Sequence, residues 1–506
     1  MGVCFASFAC SIAAGPLRDA YFSADQLYLP TLLADLTRWG GDLAAWHLTP
    51  APYFFPDLVL YAVAWQLTRG LPYSIEAAQY LTGILQLAWL VLVARALVHR
   101  TLPSDCRACA LIAPIWAVWI SLYLAGAGAV VLPGLVFSSH SGALLSTLTV
   151  FALTLRPAHA PRALGTLCVV ALSFLTGASD ALFVMSCSAV LAVTAGWCSI
   201  APRSSLAAPV SLLRAWLGAV AGIAGLVASR RLGFASAAQL DGSFDVALED
   251  ARKIWTESDA FPRATVLALL LVAGFATYTL LRSRSRPALR ILASWQLLAT
   301  CSVLVATFYT GVYGDRSSLR YFIVPCHLAL VFFAATLASR SNVARAPHSL
   351  PVAMTALSLV ALCLGTVVAM SLLSSARFAA PQRAATACVR DVAQREGVNA
   401  VLADYWYAKP LMLLANDRAH VIQVRGGLQP YLWINSRSWY RGPHEFGVII
   451  STGMNVPRIR KLLGEPQAIE HCDNLELFVY RDRARAHMKR RVQAMFDRVL
   501  AGYAAR

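Results

Sequence analysis

Charge is what this sequence of 506 residues has least of. Only 14% of it is Asp, Glu, Lys or Arg, against 58% hydrophobic residues and a mean hydropathy of +0.59. Soluble domains carry about 25% charged residues, so a soluble globular chain is excluded. Apolar runs of ~20 residues recur from Ile75 to Leu373, and lipid is the solvent for most of the chain. Acidic residues are the scarcer sign, 26 against 43 Lys and Arg, for a net charge of +17. A basic balance attracts phosphates, but here most Arg sits in short clusters between apolar runs. Cytoplasmic loops of membrane proteins have that pattern, so nucleic acid is not expected as a partner. No internal repeat or low-complexity tract is present, which weighs against a transporter built from symmetric halves. A second CxxC is also lacking. Cys106 and Cys109 stand without the companion pair a metal site would use, and most of the 12 cysteines lie in apolar runs as small hydrophobes.

What is present is about eleven spans. They are predicted near 75–98, 108–125, 142–155, 163–177, 181–200, 212–229, 265–281, 291–311, 321–339 and 351–373, with a shorter one at 2–15 that lacks a basic flank. His99, Arg100 and Arg107, then Arg156 and Arg162, Arg203 and Arg214, Arg282 to Arg290, and Arg340 and Arg345 occupy every second connection. The alternate connections are mixed or poor in cations. The positive-inside rule therefore puts the basic loops in the cytoplasm, and the first loop, 16–74, and everything after Leu373 on the other side. The run 56–67 would reverse this parity if it spanned. It is only about a dozen residues long and opens on Pro56-Asp57, so it reads as a helix lying on the outer surface. The 230–262 segment, rich in both signs of charge, reads as an external loop with a helical middle.

From about Ala376 the pattern becomes that of a small α/β domain. Helices are expected at 385–395, 409–415 and 456–463, the last ended by Gly464-Glu465-Pro466. Strands are expected at 400–404, 420–424 and 447–451, with a hairpin of 468–472 and 475–480 around Asp473-Asn474. A basic amphipathic helix, 483–506, closes the chain and presents either a solvated face or one that docks on anionic lipid. The organisation is thus a transmembrane domain over 1–375 and an extracytoplasmic α/β domain over 376–506. Cys388 and Cys472 are the only cysteines of the polar domain and share an oxidising compartment, so a disulfide between them is expected.

Chemistry concentrates in the first loop. It reads Asp25-Gln26-Leu27-Tyr28, then Gly41-Asp42, then Tyr53-Phe54-Phe55-Pro56-Asp57-Leu58. This order resembles the first loop of type C glycosyltransferases, especially bacterial aminoarabinose transferases and protein O-mannosyltransferases. Their first loop carries an acidic pair, a Gly-Asp pair and a Tyr-Phe…Pro-Pro-Leu stretch opening an interfacial helix. The late segment from Tyr313 through Arg316 and Arg320-Tyr321 to Pro325 also resembles their Arg-Tyr…Pro element. Gln26 stands where those enzymes have the second acid, and Asp57 where they have the second Pro. A divalent metal is left open, because one carboxylate and an amide hold such a cation poorly.

The resemblance implies a helical GT-C-like membrane domain. It also implies transfer of a sugar, with inversion, from a polyprenyl-phosphate carrier to an extracytoplasmic acceptor such as an envelope glycolipid or polysaccharide. The setting would be a bacterial-type inner membrane, with the C-terminus on the periplasmic side. Such a transfer needs a carboxylate to take the acceptor's proton and to stabilise a cation-like anomeric centre. Asp25 is the expected base, with Asp57 as a second acidic candidate. Arg316 and Arg320 are expected on the donor phosphate, which suits bidentate guanidinium groups. Asp42, Tyr53, His140 and Asp180 are expected to touch substrate, the last two because ionisable groups at span ends are costly unless they face a cavity. Plainer roles stand beside these: Asp57 as the cap of its own helix, and Trp46, Trp406, Trp433 and Trp439 as interfacial anchors rather than sugar platforms. The loss of the second acid also fits a catalytically silent scaffold or a transport protein on the same layout.

Overall fold

The computed structural model of the chain describes residues 16–102, 139–155, 162–200, 210–233, 243–256, 260–282, 286–310, 316–340, 379–415 and 420–504. The spans expected at 2–15, 108–125 and 351–373, and the pair Cys106 and Cys109, lie outside the described residues. Contacts divide the chain into two units. One takes in Pro50–Ala64 and Gln79–Leu372; the other takes in Gly15–Thr49, Trp65–Ala78 and Leu373–Arg506.

The first unit is helical. Among the described residues, six helices are long and apolar enough to cross a membrane: Ser74–Thr101, Ala181–Ile200, Leu212–Arg231, Pro262–Arg282, Pro287–Tyr309 and Ser318–Leu337. Ser141–Thr154 and Ala163–Ser179 are shorter apolar helices. Helices suit these sequences because the helix alone satisfies every backbone polar group of a segment within itself. Several helices outrun their apolar stretches, since cations are favourable at a helix C-terminus. Ser74–Thr101, for example, carries His99 and Arg100 in its last turn.

The arginines of the basic connections also close helix ends. Arg214 Nη1 donates to Leu153 O at 2.7 Å and Arg100 donates to Ala152 O, both in the last turn of Ser141–Thr154. Arg290 Nε donates to Leu280 O at 3.0 Å, and Arg286 donates to Ser339 O. Each thus satisfies carbonyls that a helix C-terminus leaves without an internal partner.

The 56–67 run is the helix Val59–Thr68, entered through a wider helical turn at Phe54–Leu58. The middle of the 230–262 segment is the helix Phe244–Thr256, with Lys253 2.9 Å from Asp250 and 3.7 Å from Glu249.

The second unit carries five strands, β2 (Ala400–Asp404), β3 (His420–Val424), β5 (Phe446–Ile450), β6 (Ala468–Cys472) and β7 (Leu475–Val479). They form one sheet in the order β3-β2-β5-β7-β6. β3, β2 and β5 run parallel, and the β6–β7 hairpin adds on antiparallel. Asp473, with φ 58°, makes the hairpin turn, a left-handed conformation that Asp tolerates better than most residues. The helix Asp482–Ala504 lays Met488, Val492, Phe496 and Leu500, spaced by four, into the core formed by Leu402, Ile422, Ile449 and Phe478.

The cations of this last helix are in part tied into the domain. Arg485 donates to Phe446 O, Glu396 O and Gly397 O, and Lys489 pairs with Glu445. Sequence periodicity did not indicate the short pair of β1 (Trp46–His47) with β4 (Asn435–Ser436), because two residues carry no period.

Candidate functional site

The candidate residues fall into two groups, one in each unit. In the helical unit, Tyr53, Asp57, His140, Asp180 and Arg320 converge where several helices begin or end. His140 precedes Ser141–Thr154, Asp180 precedes Ala181–Ile200, and Arg320 lies in the turn Arg316–Phe322 that leads into Ile323–Arg340. Arg316 opens that same turn.

Asp180 and His140 are buried, 3% and 5% exposed, and His140 Nδ1 donates to Asp180 Oδ2 at 2.8 Å. The other carboxylate oxygen of Asp180 accepts from Leu182 N, capping the next helix. His140 Nε2 is 3.4 Å from the Tyr53 hydroxyl, and the Tyr321 ring lies 5.1 Å from the imidazole. Tyr53 and His140 both have left-handed backbones, φ 55° and 68°, which cost non-glycine residues about 1 kcal/mol or more. Such strain persists only where surrounding contacts fix it, and here the Ser179 carbonyl and hydroxyl hold Tyr53 N and Phe55 N. Burial, and after it the Asp180 carboxylate, push the Tyr53 phenol up, with Arg320 opposing, so Tyr53 stays a hydroxyl.

Asp57, in the first turn of its own helix, also reaches a second one. It is 1% exposed, and its Oδ1 accepts from Ser141 Oγ at 2.7 Å and from Gln86 Nε2 at 3.2 Å. Its other oxygen lies so close over Gly142 that a Cβ there would sit 2.2 Å away. Asp57 therefore serves the N-terminus of Ser141–Thr154, where the helix dipole favours an anion, and glycine is what admits it.

In the second unit, Asp25 lies at the carboxyl ends of the parallel strands, the place where α/β sheets bind ligands. Asp404 ends β2 and accepts from Trp406 N at 3.2 Å, starting the helix Tyr405–Leu414. From that helix Tyr405 donates its hydroxyl to Asp25 Oδ1. Lys409, one turn on and 1% exposed, donates to Gln423 Oε1 of β3 at 2.7 Å and sits 4.5 Å over the Tyr405 ring. Burial brings the Lys409 ammonium down from its ordinary 10.5 to about 7, against the opposing pull of Asp25. Asp25 itself is partly exposed.

The Gly41-Asp42 pair is explained locally. A Cβ at Gly41 would lie 2.0 Å from Asp35 Oδ2, so glycine makes room for a buried carboxylate. Asp42, expected to touch substrate, accepts from Ala44 N at 3.0 Å and caps the turn Leu43–Ala45. Asp35 accepts from Trp46 Nε1 at 2.7 Å and Trp439 Nε1 at 2.9 Å. These two indoles pack edge to face at 5.2 Å and are only 6% exposed. They are core side chains, neither sugar platforms nor interfacial anchors. Trp406 alone of the four is open, at 57%.

Cys388 and Cys472 are joined in a disulfide, with their Cα atoms 5.5 Å apart. No group of three or more His, Cys, Asp or Glu side chains suited to a metal occurs among the described residues.

Sequence reasoning missed Asp35, Gln86, Tyr405 and Lys409 as partners. Only Lys409 left a signal, a lone cation inside the apolar Tyr405-Trp-Tyr-Ala-Lys-Pro-Leu-Met stretch. No family model, curated protein or solved structure matches the chain.

Proposed function

We propose that the protein is a membrane glycosyltransferase that moves a sugar from a polyprenyl-phosphate carrier to an extracytoplasmic acceptor, an envelope glycolipid or polysaccharide. It belongs, in this reading, to the GT-C-like class, with about eleven spans and its C-terminal domain on the periplasmic side of an inner membrane.

One observation carries the proposal. Asp25, the acidic residue of the first-loop motif, is partly exposed yet oriented by the Tyr405 hydroxyl at the carboxyl end of a parallel sheet. Its Oδ2 makes no hydrogen bond among the described residues. That oxygen takes the acceptor's proton as the acceptor oxygen bonds to the anomeric carbon and the carbon–phosphate-oxygen bond breaks. The Tyr405 hydrogen bond fixes the carboxylate's direction. The departing polyprenyl phosphate leaves with a negative charge, which suits guanidinium groups.

The test is transfer of labelled sugar from a polyprenyl-phosphate donor in membranes carrying Asp25→Asn, with envelope glycans followed by mass spectrometry. A positioned general base contributes about 10²–10⁴-fold, so turnover should fall by that order while the donor KM stays within a few-fold. Full transfer by the variant removes Asp25 from the mechanism.

A further inference from the structure

The arginine-rich ends of the helices hold a cavity that the proposed chemistry does not use. About 470 Å³ in volume, it lies between Ala181–Ile200, Ala260–Arg282 and Pro287–Tyr309. That is within the ~300–1,000 Å³ of small-ligand sites. Its walls are almost wholly apolar, with Trp197, Leu281 and Leu298 prominent, and among the described residues Arg290 is the one charged side chain lining it. Trp197 and Leu281, 57% and 72% exposed, form an open side. The hydrogen bond from Arg290 Nε to Leu280 O holds the guanidinium at the wall. Arg282 and Arg286, eight and four residues before Arg290, sit at the same helix ends and are both exposed.

This cavity lies far from the Asp180 and His140 cluster. Asp180 stands at the start of Ala181–Ile200, whereas the cavity takes Thr194, Trp197 and Cys198 near its end. At 1.5 Å per residue that is about 21–27 Å along the helix.

A groove of this kind, apolar in depth and cationic where the helices end, is complementary to a molecule with a hydrocarbon tail and an anionic head. We propose that it binds an anionic glycerophospholipid of the bilayer, with an acyl chain along Trp197 and Leu298 and the phosphate on Arg290. Basic pockets between transmembrane helices bind anionic head groups in this way. A zwitterionic lipid offers the same chain but no net charge to complement the arginines. The inference is independent of sugar transfer.

Trp197 supplies the assay. The full-length protein is reconstituted in phosphatidylcholine vesicles containing either brominated phosphatidylglycerol or brominated phosphatidylcholine, and the fluorescence of Trp197 is taken by difference from Trp197→Phe. Brominated phosphatidylglycerol should quench Trp197 at lower mole fraction than the phosphatidylcholine does. Arg290→Gln should weaken that preference about fivefold, the effect of one arginine near an anionic head group. Arg263→Gln, toward the other end of Ala260–Arg282, should leave it intact. If Arg290→Gln does not fold, Ser294→Phe keeps the charge, fills the groove and should reduce quenching by both lipids. Equal quenching by the two lipids means a surface wetted by any acyl chain and overturns the proposal. So does protection of Trp197 from both, which would mean that protein covers the groove.

Discussion

At the scale of single residues, Lys409 is the side chain whose environment does most to define behaviour. It is an ammonium only 1% exposed, held by the Gln423 amide oxygen and packed over the Tyr405 ring. Burial lowers its pKa to about 7 from an ordinary 10.5. Below about pH 7 both folded and unfolded chains carry the proton, and the burial penalty is fully present. Between about 7 and 10.5 the unfolded chain holds a proton that the folded chain has lost. Stability of the second unit therefore rises with pH across that window, by at most about 1.4 kcal/mol per pH unit from this group. Lys409→Met should remove this part of the slope. Thermal melts of wild type and variant between pH 7.5 and 10 check it: the two Tm curves should converge as pH rises, and parallel curves would mean that Lys409 titrates normally. The candidate site was half legible at this scale. Asp25, Tyr53, Asp57 and Arg320 stood out through the motifs that carry them, and His140 and Asp180 because ionisable groups so near hydrocarbon are costly. Their partners Gln86, Ser141, Ser179 and Tyr405 did not, because each is an ordinary residue until the fold delivers it across tens or hundreds of positions.

At the scale of elements, hydrophobic run length located the apolar helices among the described residues, and short apolar runs located the parallel strands almost to the residue. What stayed hidden was how elements meet. Arg162–Ser179 and Leu212–Arg231 approach so closely that a Cβ on Gly177 would stand 2.1 Å from Gly222 O, and one on Gly225 2.1 Å from Phe174 O. Those obstacles are backbone and cannot swing aside. Gly218 and Gly222 form the small-xxx-small spacing that lets helices pack in lipid, a signal present in the sequence but meaningful only once the partner helix is known. Gly177→Ala and Gly225→Ala should each destabilise the helical unit by about 1–3 kcal/mol, as overpacking does. Gly196→Ala and Gly274→Ala, with nothing within 4 Å of the added methyl, are the controls. They should be neutral or slightly stabilising, since alanine is the better helix former. Denaturation of purified protein in detergent measures the difference. Equal effects at all four sites would mean that the two helices do not pack on these glycines.

At the scale of the whole molecule, the distribution of arginine ties topology to stability. The basic connections were read as marks of sidedness, and in the structure Arg100, Arg214, Arg286 and Arg290 also close helix C-termini. A reversed orientation would keep these hydrogen bonds but lose the match to the positive-inside rule, so packing alone does not fix the side. The disulfide provides the independent handle. Cys388 and Cys472 close a loop spanning 84 positions, and a loop of that length gives a stabilisation of typically 2–4 kcal/mol if the bond forms. It forms and persists in an oxidising compartment and is rare in a reducing cytosol. Membranes trapped with a thiol-blocking reagent, unfolded and digested should therefore yield the Cys388 and Cys472 peptides joined and unblocked until reductant is added. Replacing both with Ser should lower the denaturation midpoint of the second unit by an amount matching those few kcal/mol. If both cysteines instead carry the blocking group without reduction, the α/β domain faces a reducing compartment. Asp25 belongs to the same unit, so that result would also move the proposed base to the side where an extracytoplasmic acceptor is absent.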